Sequence, residues 1–373
     1  MNTKKYLITL TPQGKFYFGG DNTFELKGNN DYNDKFGSYI VRSNYFPQQT
    51  SLLGMLRFIL LSGDSSTFSR ETMKIIDPEK AQQLIGAKGF HANENNDFGK
   101  IKNIGTCFIR KGNEKFSPAP KDLQLQIDFL QTTEGKFNGK PRIIPDIKSW
   151  DKKDNKLVPY TAKFHHDDLL VSENRTVKFE EVFEEDRRVG INKSYSGKKD
   201  EQEKGFFKQI SYRLKNDFVF AFSAEIAEDY NFMQHNGVTV QIGGDNSNFM
   251  LTVEKIQSDI EVKYPVKDEK LKDKLVDFQK ITLTANAFIA KDNIDFAIAE
   301  TLPFKFLKTT VNTAKYDLVS TKGADKSERY ELFAAGSVFF FQSKEKMNGF
   351  ITAIDEHKTD FQKIGYNKYI INN

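Results

Sequence analysis

The strongest constraint on this chain is the alternation of aromatic and branched residues in short runs, set apart by stretches bearing Gly, Pro and Asn. FVFAFSAEI at 218–226 is the clearest run. Successive strand side chains point to opposite faces, so such a run lines a core with every second residue. The same habit marks Tyr6 to Leu10, then Phe16, Tyr17 and Phe18 beyond a break at Pro12-Gln13-Gly14. It continues in SYIVRSNYF at 38–46, VTVQI at 238–242, FMLTVEKI at 249–256, ITLTANAFIA at 281–290, SVFFF at 337–341, GFITAI at 349–354 and KYIIN at 368–372. Helix signals are few. LLGMLRFILL at 52–61 is apolar almost all round and should be buried, with Thr50 or Ser51 as N-cap and a stop at Ser62-Gly63. A second helix is framed by Asp77 as cap, Pro78 at its first position and Gly86 at its end. VKDEKLKDKLVDFQK at 266–280 reads as an exposed or linker helix. Many strands, few helices and long connections define an α+β chain with mainly antiparallel sheets.

The 373 residues allow two or three domains. The expected division is 1–256 and 257–373, with an insertion at about 64–160 whose part from 88 onward looks irregular. Lys plus Arg total 55 against 51 Asp plus Glu, a net charge of +4, which excludes a histone-like polycation. Any nucleic-acid surface must therefore come from local segregation of charge. Cys107 is the single cysteine, so neither an internal disulfide nor a cysteine zinc cluster can form. No stretch reaches the roughly 20 apolar residues of a membrane span, and Arg57 interrupts the nearest. The apolar run at the start is too short for a signal peptide. A cytoplasmic protein with no membrane partner is expected.

Chemistry-bearing clusters are sparse. His165-His166-Asp167-Asp168 gathers His and acid, yet neighbours on a strand point apart, and His91, His235 and His357 stand alone. Gly-Gly-Asp occurs at 19–21 and 243–245, each with one carboxylate where a two-metal palm site needs several. Glycines there fit turns with positive φ or close backbone approach. No phosphate-cradling GxxxxGK[ST] or GxSxG sequence is present. No cofactor or metal is implied.

Charge switches sharply in one place. Residues 173–186 carry six acidic and two basic side chains, whereas 187–215 carry nine basic and three acidic. The acidic half reads as a solvated face. The basic half reads as a long β-hairpin, 187–213, with a charged tip. Arg187, Arg188, Lys193, Lys208 and Arg213 are interleaved with Tyr195, Phe206, Phe207 and Tyr212. Cations neutralise phosphates and exposed aromatics stack on unpaired bases, so this is the candidate nucleic-acid surface, the alternative being a plain charged hairpin. The start of the first helix is a second candidate anion site.

Several segments, in order, resemble one family. PQQTSLLGMLR at 47–57 is similar to the helix start of RAMP (repeat-associated mysterious protein) subunits of CRISPR effectors, with Gln48-Gln49 in place of a proline-rich run. SPAPKDLQL at 117–125, RRVGINKSYSG followed by GFFKQISYRL, VQIGGDNSNFMLTV at 240–253, AAGSVFFF at 334–341 and IGYNKYIIN at 364–372 continue the likeness. Asn367 stands where that family usually has glycine. Order and spacing best resemble the third Cmr subunits of type III-B complexes.

The resemblance implies tandem ferredoxin-like (RRM-like) domains with long insertions and a β-hairpin thumb. It implies a non-catalytic subunit that caps the crRNA 5′ handle and bridges the Cas10-type large subunit (Cmr2) to the Cas7-type backbone subunit (Cmr4), meeting target RNA only indirectly. Carried onto this sequence, the expected RNA-binding residues are Arg42, Gln49, Thr50, Ser51, Arg57, Arg187, Arg188, Gly190, Lys193, Phe206, Lys208, Tyr212, Arg213, Gly243, Gly244, Gly336 and Ser337. The competing expectation is a RAMP endoribonuclease that processes precursor crRNA, with His165, His166 or Tyr195 as general base. A third is a palm cyclase using Asp21 or Asp245.

Overall fold

The computed structural model describes residues 2–19, 22–25, 38–92, 95–123, 132–133, 136–137, 147–151, 156–159, 169–191, 206–215, 217–258, 260, 279–289, 294, 296–304, 311–312, 317–318, 330–341, 343–357 and 359–372. Two sheets dominate, and both are antiparallel with the same strand order. In the first, Thr3–Pro12 lies between Val219–Ala227 and Asn248–Ile256. Val219–Ala227 takes Ile101–Ile104 and Phe108–Lys111 along its other edge. Counted along the chain, the order across the sheet is second, third, first, fourth.

The second sheet repeats it. Gln279–Leu283 lies between Val338–Phe341 and Tyr369–Asn372, and Phe296–Phe304 lies beyond Val338–Phe341. This is the ferredoxin-like order, twice. The long helix is placed differently in each. Gln49–Ser62 follows the first strand of the first sheet, whereas Lys344–His357 follows the third strand of the second. In the first sheet the helix expected after the third strand shrinks to a single 3-10 turn, Phe232–His235.

The alternation read from the sequence builds the cores. Tyr6, Ile8 and Leu10 face the same side as Phe220, Phe222, Phe249 and Leu251, and the helix side chains Leu52, Leu56 and Ile59 pack against them. Phe16 and Phe18 close this core, with Phe18 stacked on Phe249 at 5.9 Å and Phe16 edge-on to Phe220 at 5.2 Å. The second core joins Ile281, Leu283, Phe339 and Phe341 to Met347, Phe350 and Ile354.

The capping signals at the second helix hold. The Asp77 carboxylate accepts from the Lys80 amide at 3.0 Å, Pro78 opens the helix, and Gly86 ends it with φ of +82°. The first helix begins earlier than expected. Gln48 is its cap residue, and its carbonyl takes the amides of Ser51 and Leu52.

Three further expectations change. GFITAI lies in the helix Lys344–His357, because Met347, Phe350 and Ile354 recur at helical spacing and outweigh the local strand propensity. The stretch expected to be irregular supplies three strands of the first sheet, Ile101–Ile104, Phe108–Lys111 and Glu114–Pro118. From within that same stretch, Ile147–Asp151 pairs with Phe296–Phe304 and so joins the second sheet. Of ITLTANAFIA only the first three residues are in a strand, Gln279–Leu283. Most of the lysine-rich segment lies outside the described residues.

Candidate nucleic-acid interface

The basic segment forms the expected hairpin stem. Phe183–Ile191 pairs antiparallel with Phe206–Leu214, from Phe183 opposite Leu214 to Ile191 opposite Phe206. Phe206–Leu214 also pairs in parallel with Ser38–Arg42, which places Arg42 beside Ile210. At its base the stem is sewn to the segment that follows Thr3–Pro12, where the amides and carbonyls of Phe16 and Tyr212 bond reciprocally at 2.8 and 3.0 Å. Phe183, Ile210 and Tyr212 are buried there.

Beyond the buried base the stem is charged. Arg42, Arg187, Arg188 and Arg213 have side chains 46–61% exposed. Two carboxylates hold them. Glu185 lies 3.6 Å from Arg42 and accepts from Arg187 Nε at 2.7 Å. Asp186 accepts from Arg213 at 3.1 Å and lies 3.5 Å from Arg188. Burial would raise the Asp186 carboxyl, but Arg213, Lys15 and Arg188 together hold it below its usual range. Exposed pairs of this kind are worth about 0–1 kcal/mol, so a phosphate can take over either arginine. Lys208, opposite Val189, is half-buried on the same stem, and Gly190 lies near its outer end. Val189 itself is 73% exposed.

The Gly-rich loop meets the stem, but its glycines serve the protein. A Cβ on Gly243, whose φ is +86°, would lie 2.2 Å from the Tyr17 carbonyl. The Gly244 amide donates to that same carbonyl at 2.8 Å. Close approach of this loop is thus to Tyr17, not to a ligand. Asp245 accepts from the Gln209 side chain of the stem. It gains no acidic partners, and among the described residues no group of three His, Cys, Asp or Glu could hold a metal ion.

Several expected RNA contacts are internal. Gln49 is buried, and its Nε2 donates to the carbonyls of Gly105 and Ile364, both at 2.9 Å. The first amides of the helix, at Gln49 and Thr50, together with the Thr50 side chain, face the phenol of Tyr366. That phenol is pushed up to about 12 by burial. The helix start is therefore filled by the C-terminal segment. Ser51, half-buried on the same turn, gives its amide to Gln48.

Arg57 is buried over the Phe98 ring and donates to the Asp97 carbonyl at 2.9 Å. Burial lowers it to about 10. Tyr212 stacks on Tyr45 at 4.5 Å within the core. A Cβ on Gly336, at φ of +86°, would lie 2.3 Å from the Ala119 carbonyl. Ser337 is buried, its hydroxyl accepting from the Glu300 amide at 3.2 Å. Packing and backbone satisfaction, rather than RNA, account for these residues.

Lys193, Tyr195, His165, His166 and Asp21 lie outside the described residues, and of Phe206 only the backbone pairing is described. Sequence reasoning overlooked Glu185, Asp186 and Gln209. For the two acids the signal was the acidic block directly abutting the basic one, which a hairpin must fold back against its own cations; Gln209 carried no such signal.

Two ferredoxin-ordered antiparallel sheets with a charged hairpin stem define an α+β protein of tandem ferredoxin-like type. The chain belongs to a family described as CRISPR-associated protein (Cas_Cmr3), which it matches over residues 8–373, and is thus a third Cmr subunit of a type III-B CRISPR effector. Its fold is similar to a chain in a cryo-EM structure of the type III-B Cmr-beta bound to cognate target RNA, at 13% identity and a TM-score of 0.50, covering 98% of this chain and 96% of that one. A second structure, with cognate target RNA and AMPPnP, gives 14% identity and a TM-score of 0.50 over the same shares. No curated protein matches the sequence.

Proposed function

We propose that this subunit is a non-catalytic RNA-binding scaffold. It caps the crRNA 5′ handle and bridges the Cas10-type large subunit (Cmr2) to the Cas7-type backbone subunit (Cmr4). The observation that supports RNA contact is the set of four half-exposed arginines on the stem, Arg42 and Arg187 on one face and Arg188 and Arg213 on the other. Guanidinium groups on both faces of a paired stem neutralise phosphates of a strand that wraps its edge, without reading bases. Contact therefore falls on Arg42, Arg187, Arg188 and Arg213, with Lys208 beside them, rather than on the helix start.

The test is guide binding as a function of salt. On single strands each phosphate contact adds roughly 0.7 to the log–log slope. Replacing Arg187, Arg188 and Arg213 together by Ala should flatten that slope by about two units and weaken retention of the guide in the reconstituted assembly. Guide RNA should be retained uncut. Identical slopes for variant and wild type would place the RNA elsewhere, and specific cleavage of repeat RNA would favour an endoribonuclease.

A further inference from the structure

The acidic half of the charge switch has no part in phosphate binding, yet the hairpin folds it onto the arginines. Glu184 stands opposite Arg213 in the register, and the two residues after it each engage two arginines. Glu185 reaches Arg42 and Arg187, and Asp186 reaches Arg188 and Arg213. All four exposed guanidinium groups of the stem are thus occupied by two carboxylates of the chain itself. Glu185 serves one face of the stem and Asp186 the other, and Asp245 adds a third carboxylate on the Asp186 face through Gln209.

We propose that Glu185 and Asp186 act as internal stand-ins for phosphate, so that the subunit discriminates against RNA other than its guide. This rests on the stem being the RNA surface. A phosphate that displaces a carboxylate releases its own counterion but leaves a carboxylate that takes one up, so the gain from counterion release is partly cancelled. An arbitrary RNA has only that reduced gain. A guide positioned by neighbouring subunits brings several phosphates to the stem at once and displaces both carboxylates together, because its effective concentration at the site is high. Discrimination then comes from two residues that never contact the correct ligand.

The geometry supports exchange rather than permanent pairing. The arginine side chains are about half exposed, whereas Glu185 and Asp186 are 29% and 20% exposed and sit on the strand itself. The acids are fixed and the arginines are long and mobile at their ends, so an arginine can swing from carboxylate to phosphate without moving the backbone.

The experiment uses the full chain and a single-stranded RNA of unrelated sequence, comparing wild type with Glu185→Gln plus Asp186→Asn. The amides keep the shape and remove the charge. The double variant should bind the unrelated RNA about tenfold more tightly at low salt, with a log–log slope steeper by roughly 1.4 for the two charges removed. Each single variant should give part of the change, and a thermal melt confirms that each is folded. Unchanged or weaker binding by the folded variants would overturn the screening role.

Adding Arg187→Ala, Arg188→Ala and Arg213→Ala to wild type and to the double variant separates the two ideas. If the arginine changes weaken wild-type binding while the amides fail to strengthen it, only the screening role falls. If the arginine changes leave both proteins binding as before, the stem is not the RNA surface, and both proposals fall together.

Discussion

Gln49 offers the sharpest distinction between an RNA contact and a structural tie. Its Nε2 is shared between the carbonyls of Gly105, beside the first sheet, and Ile364, in the C-terminal segment, each at 2.9 Å. The residue is 6% exposed. Next to it, Gly365 has φ of +91°, and a Cβ there would fall 1.6 Å from Gln49 Nε2, so the glycine makes room for the amide.

Gln49→Ala leaves one buried and one part-buried carbonyl without their donor, and each costs about 1–3 kcal/mol when water does not replace the donor. Allowing for some water entry, the loss is about 3 kcal/mol. With an unfolding entropy of about 2.1 cal/mol/K per residue over the whole chain, Tm should fall by about 4 °C. The salt slope of guide binding should not change. Gln49→Glu should be worse and pH-dependent, since a carboxylate facing two carbonyl oxygens is tolerated only when protonated, and stability should fall as pH rises through the ordinary carboxylate range. Calorimetry read beside a salt titration decides the matter. A Gln49→Ala protein with unaltered Tm but a flatter salt slope would refute the buried tie and restore Gln49 as a phosphate contact.

Gly243→Ala should cost about 2–3 kcal/mol through positive-φ strain and loss of the Gly244–Tyr17 bond, seen as a lower denaturant midpoint with RNA affinity per folded molecule unchanged. Asp360 accepts from the Asn96 amide at 2.8 Å and from Lys363 at 2.9 Å; burial alone would raise its carboxyl, but these partners together lower it. A lowered folded-state pKa contributes stability above the unfolded value, near 4, that is lost as pH falls further. Asp360→Asn should therefore lower stability at pH 7 and flatten its decline below about pH 4; an unaltered acid profile would exclude the Asn96–Lys363 contact as the cause.

The sequence makes the strand cores readable because alternation is a property of each segment alone. FVFAFSAEI needs no partner to declare its buried face, and Asp77-Pro78 declares its helix start in the same local way. GFITAI misleads because its six residues carry strand-forming types, while the helical spacing shows only when Met347 is included. The site was less legible than the fold, for a related reason. A polar residue in a motif looks alike whether it faces a ligand or another part of the chain.

Gln49 and Arg57 are answered by residues 364 and 97, which no local pattern connects to them. Asn367 shows the same blindness in reverse. At φ of +54° it occupies a glycine position, and its side-chain amide both accepts from the Phe288 amide at 2.8 Å and donates to the Phe288 carbonyl at 3.2 Å. Asparagine tolerates that conformation and adds two bonds, so the departure from the family pattern has a structural cause.

The position of Thr3–Pro12 at the centre of the first sheet has a consequence for synthesis. Both of its neighbours, Val219–Ala227 and Asn248–Ile256, come from far downstream, and Lys4 bonds the carbonyl of Glu228, 224 residues later. At about 5–20 residues per second the ribosome takes about 11 to 45 s to make that interval. Throughout it the central strand of the sheet has neither of its partners. Folding of the first sheet must wait for the hairpin stem to be made, since the stem precedes Val219–Ala227 in the chain. The hairpin stem is therefore made before the scaffold that braces it, and production of this subunit should respond more to slowed translation or to holdase chaperones than its size alone suggests.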